Sequence, residues 1–175
     1  MNLNSYDYTT YIHSVNVGVL ALSLAKSLFK KEDKHDMHEL GSGFFLHDLG
    51  KIRIDETIIN KPGKLTKEEM VIIQGHPAMG YQLLHETKQI SEESRLIILE
   101  HHERQDGTGY PWKLRGEEIH IYGRICSVAD VFDALVSKRP YKPQIKPVDA
   151  FKIMKEEMLD HFQKDIFRKF VMLFA

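Results

Sequence analysis

Seven residues carry side chains that could do chemistry together: His13, His47, Asp48, His76, His101, His102 and Asp130. Imidazole and carboxylate are donors for divalent cations, and with no cysteine in the set they suit iron, manganese, nickel or zinc. Ten histidines in 175 residues is a high count for the side chain that most often ligates metals. Each residue alone is a weak signal. A histidine on an apolar helix face is ordinarily a satisfied core or boundary residue, and a His-Asp or His-His pair arises by chance. Jointly, five histidines and two aspartates at the apolar edges of predicted helices would cost several kcal/mol if buried unpaired. Divalent cations would offset that cost. Spacing by itself leaves two readings open, a metal centre or a set of separately satisfied histidines.

The elements that must position these residues have helical periodicity. His13 lies one turn before Val17, on a face continued by Leu20, Leu24 and Leu28. Leu40 and Phe44 lead to His47 at the same spacing. Thr66 and Glu69 form a capping-box pattern opening a helix toward His76. Ser91, followed by Glu92 and Glu93, marks a helix start with acids at the positive end of the dipole. That helix is expected to run through Leu96, Ile97 and Leu99 to His101 and His102. Ile121, Ile125, Val128, Phe132 and Leu135 predict another, with Asp130 and Asp133 three residues apart on a different face. Pro147 suits a first helical position. Phe151, Met154 and Met158 continue at helix spacing, followed by Phe162, Ile166 and Phe170. Asn60 to Lys64 and Gln105 to Gly116 carry Gly and Pro and read as loops. With no alternating strand in view, the expectation is an all-α bundle over residues 1–175, a single domain whose polar residues converge inside.

A hydrophobic content of 42% suits one domain with a full core. A charged content of 28% with a formal net charge of -1 fits neither a polybasic nucleic-acid binder nor a disordered acidic tail. No DNA or RNA duplex is therefore expected as a partner. Cys126 is the one cysteine and cannot close an internal disulfide, which suits a reducing cytoplasm. Neither an apolar run of membrane-spanning length nor a signal sequence is expected, and a cytoplasmic location follows as an expectation.

Ordered blocks of the sequence resemble the HD-GYP family. HDLGK (His47 to Lys51) is similar to its HD motif. KPGKLTKEE (Lys61 to Glu69) and GHP (Gly75 to Pro77) resemble the next blocks. HHERQDGTGYP (His101 to Pro111) resembles the signature, with Gly109, Tyr110 and Pro111 as the GYP triplet. ADVFDAL (Ala129 to Leu135) and KRPYK (Lys138 to Lys142) complete the order. The match runs from about His13 to about Phe170.

The resemblance implies an HD-domain helical bundle with a central metal site that hydrolyses cyclic di-GMP. Carried over, His13, His47, Asp48 and Asp130 bind one divalent metal ion. Asp48, His76, His101 and His102 bind a second, with Asp48 bridging. Iron or manganese is favoured, and nickel or zinc fits the same donors. A hydroxide shared by the two ions would attack phosphorus in line with the leaving ribose oxygen, giving linear pGpG and, on continued hydrolysis, GMP. Lys51, one turn after Asp48, would reach a non-bridging phosphate oxygen. Arg139 and Lys142 would hold the substrate's phosphate or guanine groups, arginine through its planar donor fork. Tyr110 would contact substrate and shape the pocket, and Asp133 would orient a metal ligand. Trp112 is expected to anchor the loop. His35, His38, His85, His120 and His161 fall outside the blocks and read as surface or structural.

Some family members hold a third metal through a carboxylate one turn before the first histidine. Thr9 stands there and cannot serve as an acidic ligand, so two ions are expected. Asn16 stands where the family often has arginine, a departure with no functional reading from sequence. Family domains are often joined to sensor or receiver domains, and a diguanylate cyclase is a further partner class. Two other functions are consistent with the sequence. One is an HD hydrolase of another cyclic dinucleotide or a nucleotide monophosphate. The other is a catalytically silent module that binds a cyclic dinucleotide or a signalling partner, although silent copies usually lose ligands and all seven are present here.

Overall fold

Apolar residues recurring every three or four positions build the two longest described helices. In α1 (Ser5–Phe29) they bury Val17, Ala21, Leu24 and Ala25 completely. In the computed structural model, which describes residues 5–29, 34–87, 90–137 and 144–175 and the side chains from residue 10 onward, this helix packs on α2 (Met37–Leu46) and α7 (Ile121–Val136). α1 also corrects one expectation. Its segment Thr10–Phe29 is long and apolar enough to cross a membrane, by length and composition. In the fold that apolarity supplies the core, where Val17, Leu24, Leu40, Phe44, Ile125 and Phe132 form one cluster.

Side-chain caps set the starts of the shorter helices. Asp36 accepts the amides of His38 and Glu39 to open α2, and Asp55 accepts that of Thr57 to open α3 (Glu56–Ile59). The Thr66–Glu69 capping box opens α4 (Lys67–Gln74). Ser91 accepts the amide of Ser94 at the start of α6 (Glu92–Glu100). Pro147 begins α8 (Pro147–Glu157), and α9 (Lys164–Val171) follows a short 3-10 turn at Leu159–His161. The described residues contain no strand, so the chain is all-α as the periodicity predicts.

Three boundaries differ from expectation. The segment leading to His76 is two helices, because Gly75 ends α4 and Pro77 sits in the first turn of α5 (His76–Glu86). α6 stops at Glu100 with His101 as its C-cap, so the His-His pair lies at a helix exit rather than on a helix face. The Phe151-to-Phe170 periodicity spans a break, since Met158 leaves helical geometry at φ -133°. In each case helix-like apolar spacing continues through a turn that still faces the core.

Two glycines allow the close approach that the site needs. A Cβ on Gly50, in the 3-10 turn Leu49–Arg53 that follows Asp48, would lie 1.9 Å from the carbonyl oxygen of His76 and 2.5 Å from the amide nitrogen of Gly80. Only a bare backbone brings that turn onto α5, and so brings Asp48 to His76. At Gly109 a Cβ would lie 2.5 Å from the Cα of Glu103, so the loop after His102 folds back against its own start.

Candidate metal centre

Three of the buried histidines are aimed by the last turn of the helix that precedes each. His47, His76 and His101 each donate Nδ1–H to a carbonyl three residues earlier, on Phe44, Ile73 and Ile98, at 2.8 Å in each case. A carbonyl can only accept, so the proton sits on Nδ1 and the Nε2 lone pair turns inward. His13 gets the same orientation from afar, because its Nδ1 lies 2.6 Å from Asp133 Oδ2 on α7.

The inward atoms meet around Asp48. Asp48 Oδ1 lies 3.2 Å from His76 Nε2 and 3.7 Å from His101 Nε2. Its other oxygen, Oδ2, lies 3.6 Å from both His13 Nε2 and His47 Nε2. Asp130 Oδ1 lies 3.1 Å from His13 Nε2, and Oδ2 lies 3.7 Å from His102 Nδ1. The donors form two buried groups, Asp48–His76–His101–His102 and His13–His47–Asp130, each compact enough to hold one ion.

The donor chemistry fits divalent cations better than a network of hydrogen bonds. His76 Nε2 and His101 Nε2 are 3.1 Å apart, yet both are acceptors once their Nδ1 protons are committed, and Asp48 Oδ1 is a third acceptor beside them. His47 Nε2 and Asp48 Oδ1 are buried without a hydrogen-bond partner among the described residues. Converging buried lone pairs repel unless a cation lies among them. The result is a pair of buried His/Asp clusters suited to a binuclear metal site.

Electrostatics sort the site further. Burial pushes the Asp48 carboxyl up, but Lys51 and the surrounding imidazoles more than offset it and hold it well below the ordinary range. Burial also raises Asp130, and the His13 hydrogen bond with the charges of His102 and His47 reverses the shift, leaving it ionised. Burial drives His47 down to about 4 and lowers His76 and His102, keeping them neutral as ligands require. His13 moves the other way, to about 9: burial lowers it, but its bonds to Asp130 and Asp133 outweigh burial.

Lys51 Nζ lies 2.6 Å from Asp48 Oδ2 with its side chain 26% exposed, which places the ammonium at the edge of the cluster. The Tyr110 ring stacks on His102, with centroids 4.6 Å apart. Burial and the nearby Asp130 and Asp48 charges raise the Tyr110 hydroxyl, so it remains a donor. Asp133 also accepts Asn16 Nδ2 at 2.9 Å and Ser137 Oγ at 2.8 Å. Arg139 and Lys142 lie outside the described residues, as does the side chain of Thr9.

Trp112 is not the loop's anchor, since its side chain is 52% exposed. Glu103 holds the loop instead. Its buried carboxylate accepts the amides of Trp112 at 2.7 Å and Leu114 at 3.0 Å. Glu100 does the same for His120, at 2.6 Å. Both glutamates are absent from the sequence reading; an acidic residue directly after a His-His pair was the available signal for Glu103. Among the histidines outside the site, His35 stacks on Phe29 and bonds the Tyr122 hydroxyl. His120 caps α7, His161 lies 3.8 Å from Asp106, and His38 and His85 are exposed.

A family model described as an HD domain matches residues 7–166. The chain is 40% identical over 171 residues to the cyclic di-GMP phosphodiesterase PA4108 of Pseudomonas aeruginosa, covering 98% of this chain and 41% of that protein. It is 41% identical over 134 residues to the 3'3'-cGAMP-specific phosphodiesterase 2 of Vibrio cholerae, covering 76% of this chain and 25% of that one. The chain thus spans less than half the length of either curated relative. Bd1817, a HDG"Y"P protein from Bdellovibrio bacteriovorus, has a solved structure that superposes with a TM-score of 0.78 at 24% identity. That match covers 100% of this chain and 56% of the other and shows a shared fold.

Proposed function

Because this chain belongs to the HD domain family, we propose that it is a metal-dependent phosphodiesterase that hydrolyses cyclic di-GMP to linear pGpG, with GMP as the end point where hydrolysis continues. The observation that carries this reading is the convergence of five imidazoles and two carboxylates from five helices or their exits on one buried point. The activity for which the Pseudomonas aeruginosa relative is named supports the substrate class.

When bound, two divalent ions supply a nucleophilic water at neutral pH and neutralise charge on the phosphoryl group. Asp48, with one oxygen toward each cluster, would help to hold both ions. The donor set, without thiolate, favours iron or manganese and accepts nickel or zinc. Lys51, at the edge of the cluster, would neutralise a non-bridging phosphate oxygen, and the un-ionised Tyr110 hydroxyl would donate a hydrogen bond to substrate. Arg139 and Lys142 remain the proposed phosphate and guanine contacts. A sensor or receiver domain, or a diguanylate cyclase, is the partner class such an activity implies.

The relative named for 3'3'-cGAMP makes a second cyclic dinucleotide the specific alternative. Protein loaded anaerobically with Fe(II) or Mn(II) is expected to convert cyclic di-GMP to a product that co-elutes with pGpG, faster than it opens 3'3'-cGAMP. The double variant His47→Ala, Asp48→Ala should lose both turnover and bound metal. Cleavage of 3'3'-cGAMP alone would reassign the substrate. Tight dinucleotide binding without cleavage, with two ions present, would make the chain a silent binder.

A further inference from the structure

His13 differs from the other inward-facing ligands in how it is aimed. His47, His76 and His101 follow a helix end or break, where a carbonyl of the preceding turn is within reach of Nδ1. His13 sits inside α1, where the carbonyls of the preceding turn are taken by the helix itself. It is oriented by a side chain 120 residues away, Asp133. A carboxylate can rotate, so it fixes an imidazole only when its second oxygen is also held. Asp133 Oδ1 is held twice, by Asn16 Nδ2 and by Ser137 Oγ. Asn16 lies one turn after His13 on α1, and Ser137 one turn after Asp133 at the C-cap of α7. The four side chains form a closed clasp between two helices with a metal-facing nitrogen at its inner end. Both outer donors are neutral, which leaves the carboxylate's charge directed at His13 and makes Nε2 a stronger donor.

We propose that Asn16 is a positioning residue which, together with Ser137, acts through Asp133 to set the affinity of the His13–His47–Asp130 cluster for its cation, while the Asp48–His76–His101–His102 cluster does not depend on it. This rests on the binuclear reading above and deepens it, because it makes the two ions separately adjustable. An amide at this position does more than fill space between α1 and α7.

The test is Mn(II) titration calorimetry on chelated protein, with bound metal counted by mass spectrometry. The unaltered chain should take up two ions. Asn16→Ala should weaken one of the two binding steps by about 10- to 100-fold and leave the other within about twofold, and Ser137→Ala should weaken the same step by less. Asn16→Asp sets a second carboxylate against Asp133 and should be as damaging as Asn16→Ala. Adding Asp133→Asn to it restores a hydrogen bond between positions 16 and 133 but leaves a neutral amide against His13, so metal affinity should stay low, whereas a purely structural role predicts that it recovers. In a His47→Ala background, where the first cluster is already broken, Asn16→Ala should have no further effect. Two ions bound unchanged by Asn16→Ala, or both steps weakened alike, would overturn this inference and leave the binuclear reading intact. Fewer than two ions on the unaltered chain would overturn both. Circular dichroism of the chelated variants should match that of the unaltered chain if the fold persists.

Discussion

At the scale of single residues, burial and charge give the cluster histidines opposite tendencies. His47, pushed by burial to about 4, stays neutral in the fold while the unfolded chain, at about 6.5, takes up a proton. Stability is therefore lost as the pH falls from about 6.5 toward 4, and the lowered His76 and His102 act in the same direction. His13, whose carboxylate partners outweigh burial and hold it at about 9, contributes stability that is complete below about 6.5 and lost as pH rises toward 9. The chelated protein is expected to be most stable near pH 6.5, with Tm falling on both sides. A melting series across this range checks it, and a Tm that rises steadily into alkali would contradict the His13 assignment. With metal bound the same series should be flatter on the alkaline side, because the ion replaces the proton at His13 Nε2.

Elements matter here mainly through where they end. Asp48 follows α2, His76 opens α5, and His101 and His102 follow α6, so ligands cluster where helices stop and the backbone can turn a side chain inward. The contact of Gly50 with the first turn of α5 depends on that arrangement. Gly50→Ala would place a methyl group 1.9 Å from a backbone oxygen, and relief requires the 3-10 turn to separate from α5. The expected cost is about 1–3 kcal/mol, seen as a Tm lowered by several degrees. Asp48 should also withdraw from His76 and His101, so weaker metal uptake by that cluster should accompany the stability loss. A Gly50→Ala protein with normal Tm and two ions bound would show that the turn has slack. Glu103 works similarly for the loop, since it converts two amides of an irregular segment into a fixed platform for Tyr110.

For the molecule as a whole, the proposed ions would add a further tie between segments already joined by the apolar core and by the bonds of His13 and Asn16 to Asp133. His13 and Asp130 lie 117 positions apart, on α1 and α7, which are already packed together. An ion that binds only the native site stabilises by about 2.7 kcal/mol at 100 times its Kd. For a domain of this size each kcal/mol moves Tm by about 2–4 °C. Chelation is therefore expected to lower Tm by roughly 5–10 °C per ion under those conditions, checked by melting with and without a chelator. A Tm indifferent to chelation would mean that the pocket is fully formed and satisfied without cations.

Sequence alone determined the helical class and the helix starts at Ser91, Thr66 and Pro147, and singled out seven candidate donors, because caps and 3.6-residue periodicity act over one turn and ligand chemistry belongs to the side chain itself. It also located the loop carrying Tyr110, since Gly and Pro interrupt helices wherever they cluster. Tertiary structure decided what local spacing does not encode: the breaks at Gly75 and Met158, the helix exit at His101, the exposure of Trp112 and the burial of Glu103. It also decided that Asn16, without a reading in sequence, closes a clasp on Asp133 across 117 positions. The physical reason is common to all of these. Apolar periodicity reports which side faces the core, but not whether the backbone remains helical or which polar group from a distant segment arrives to satisfy a buried donor.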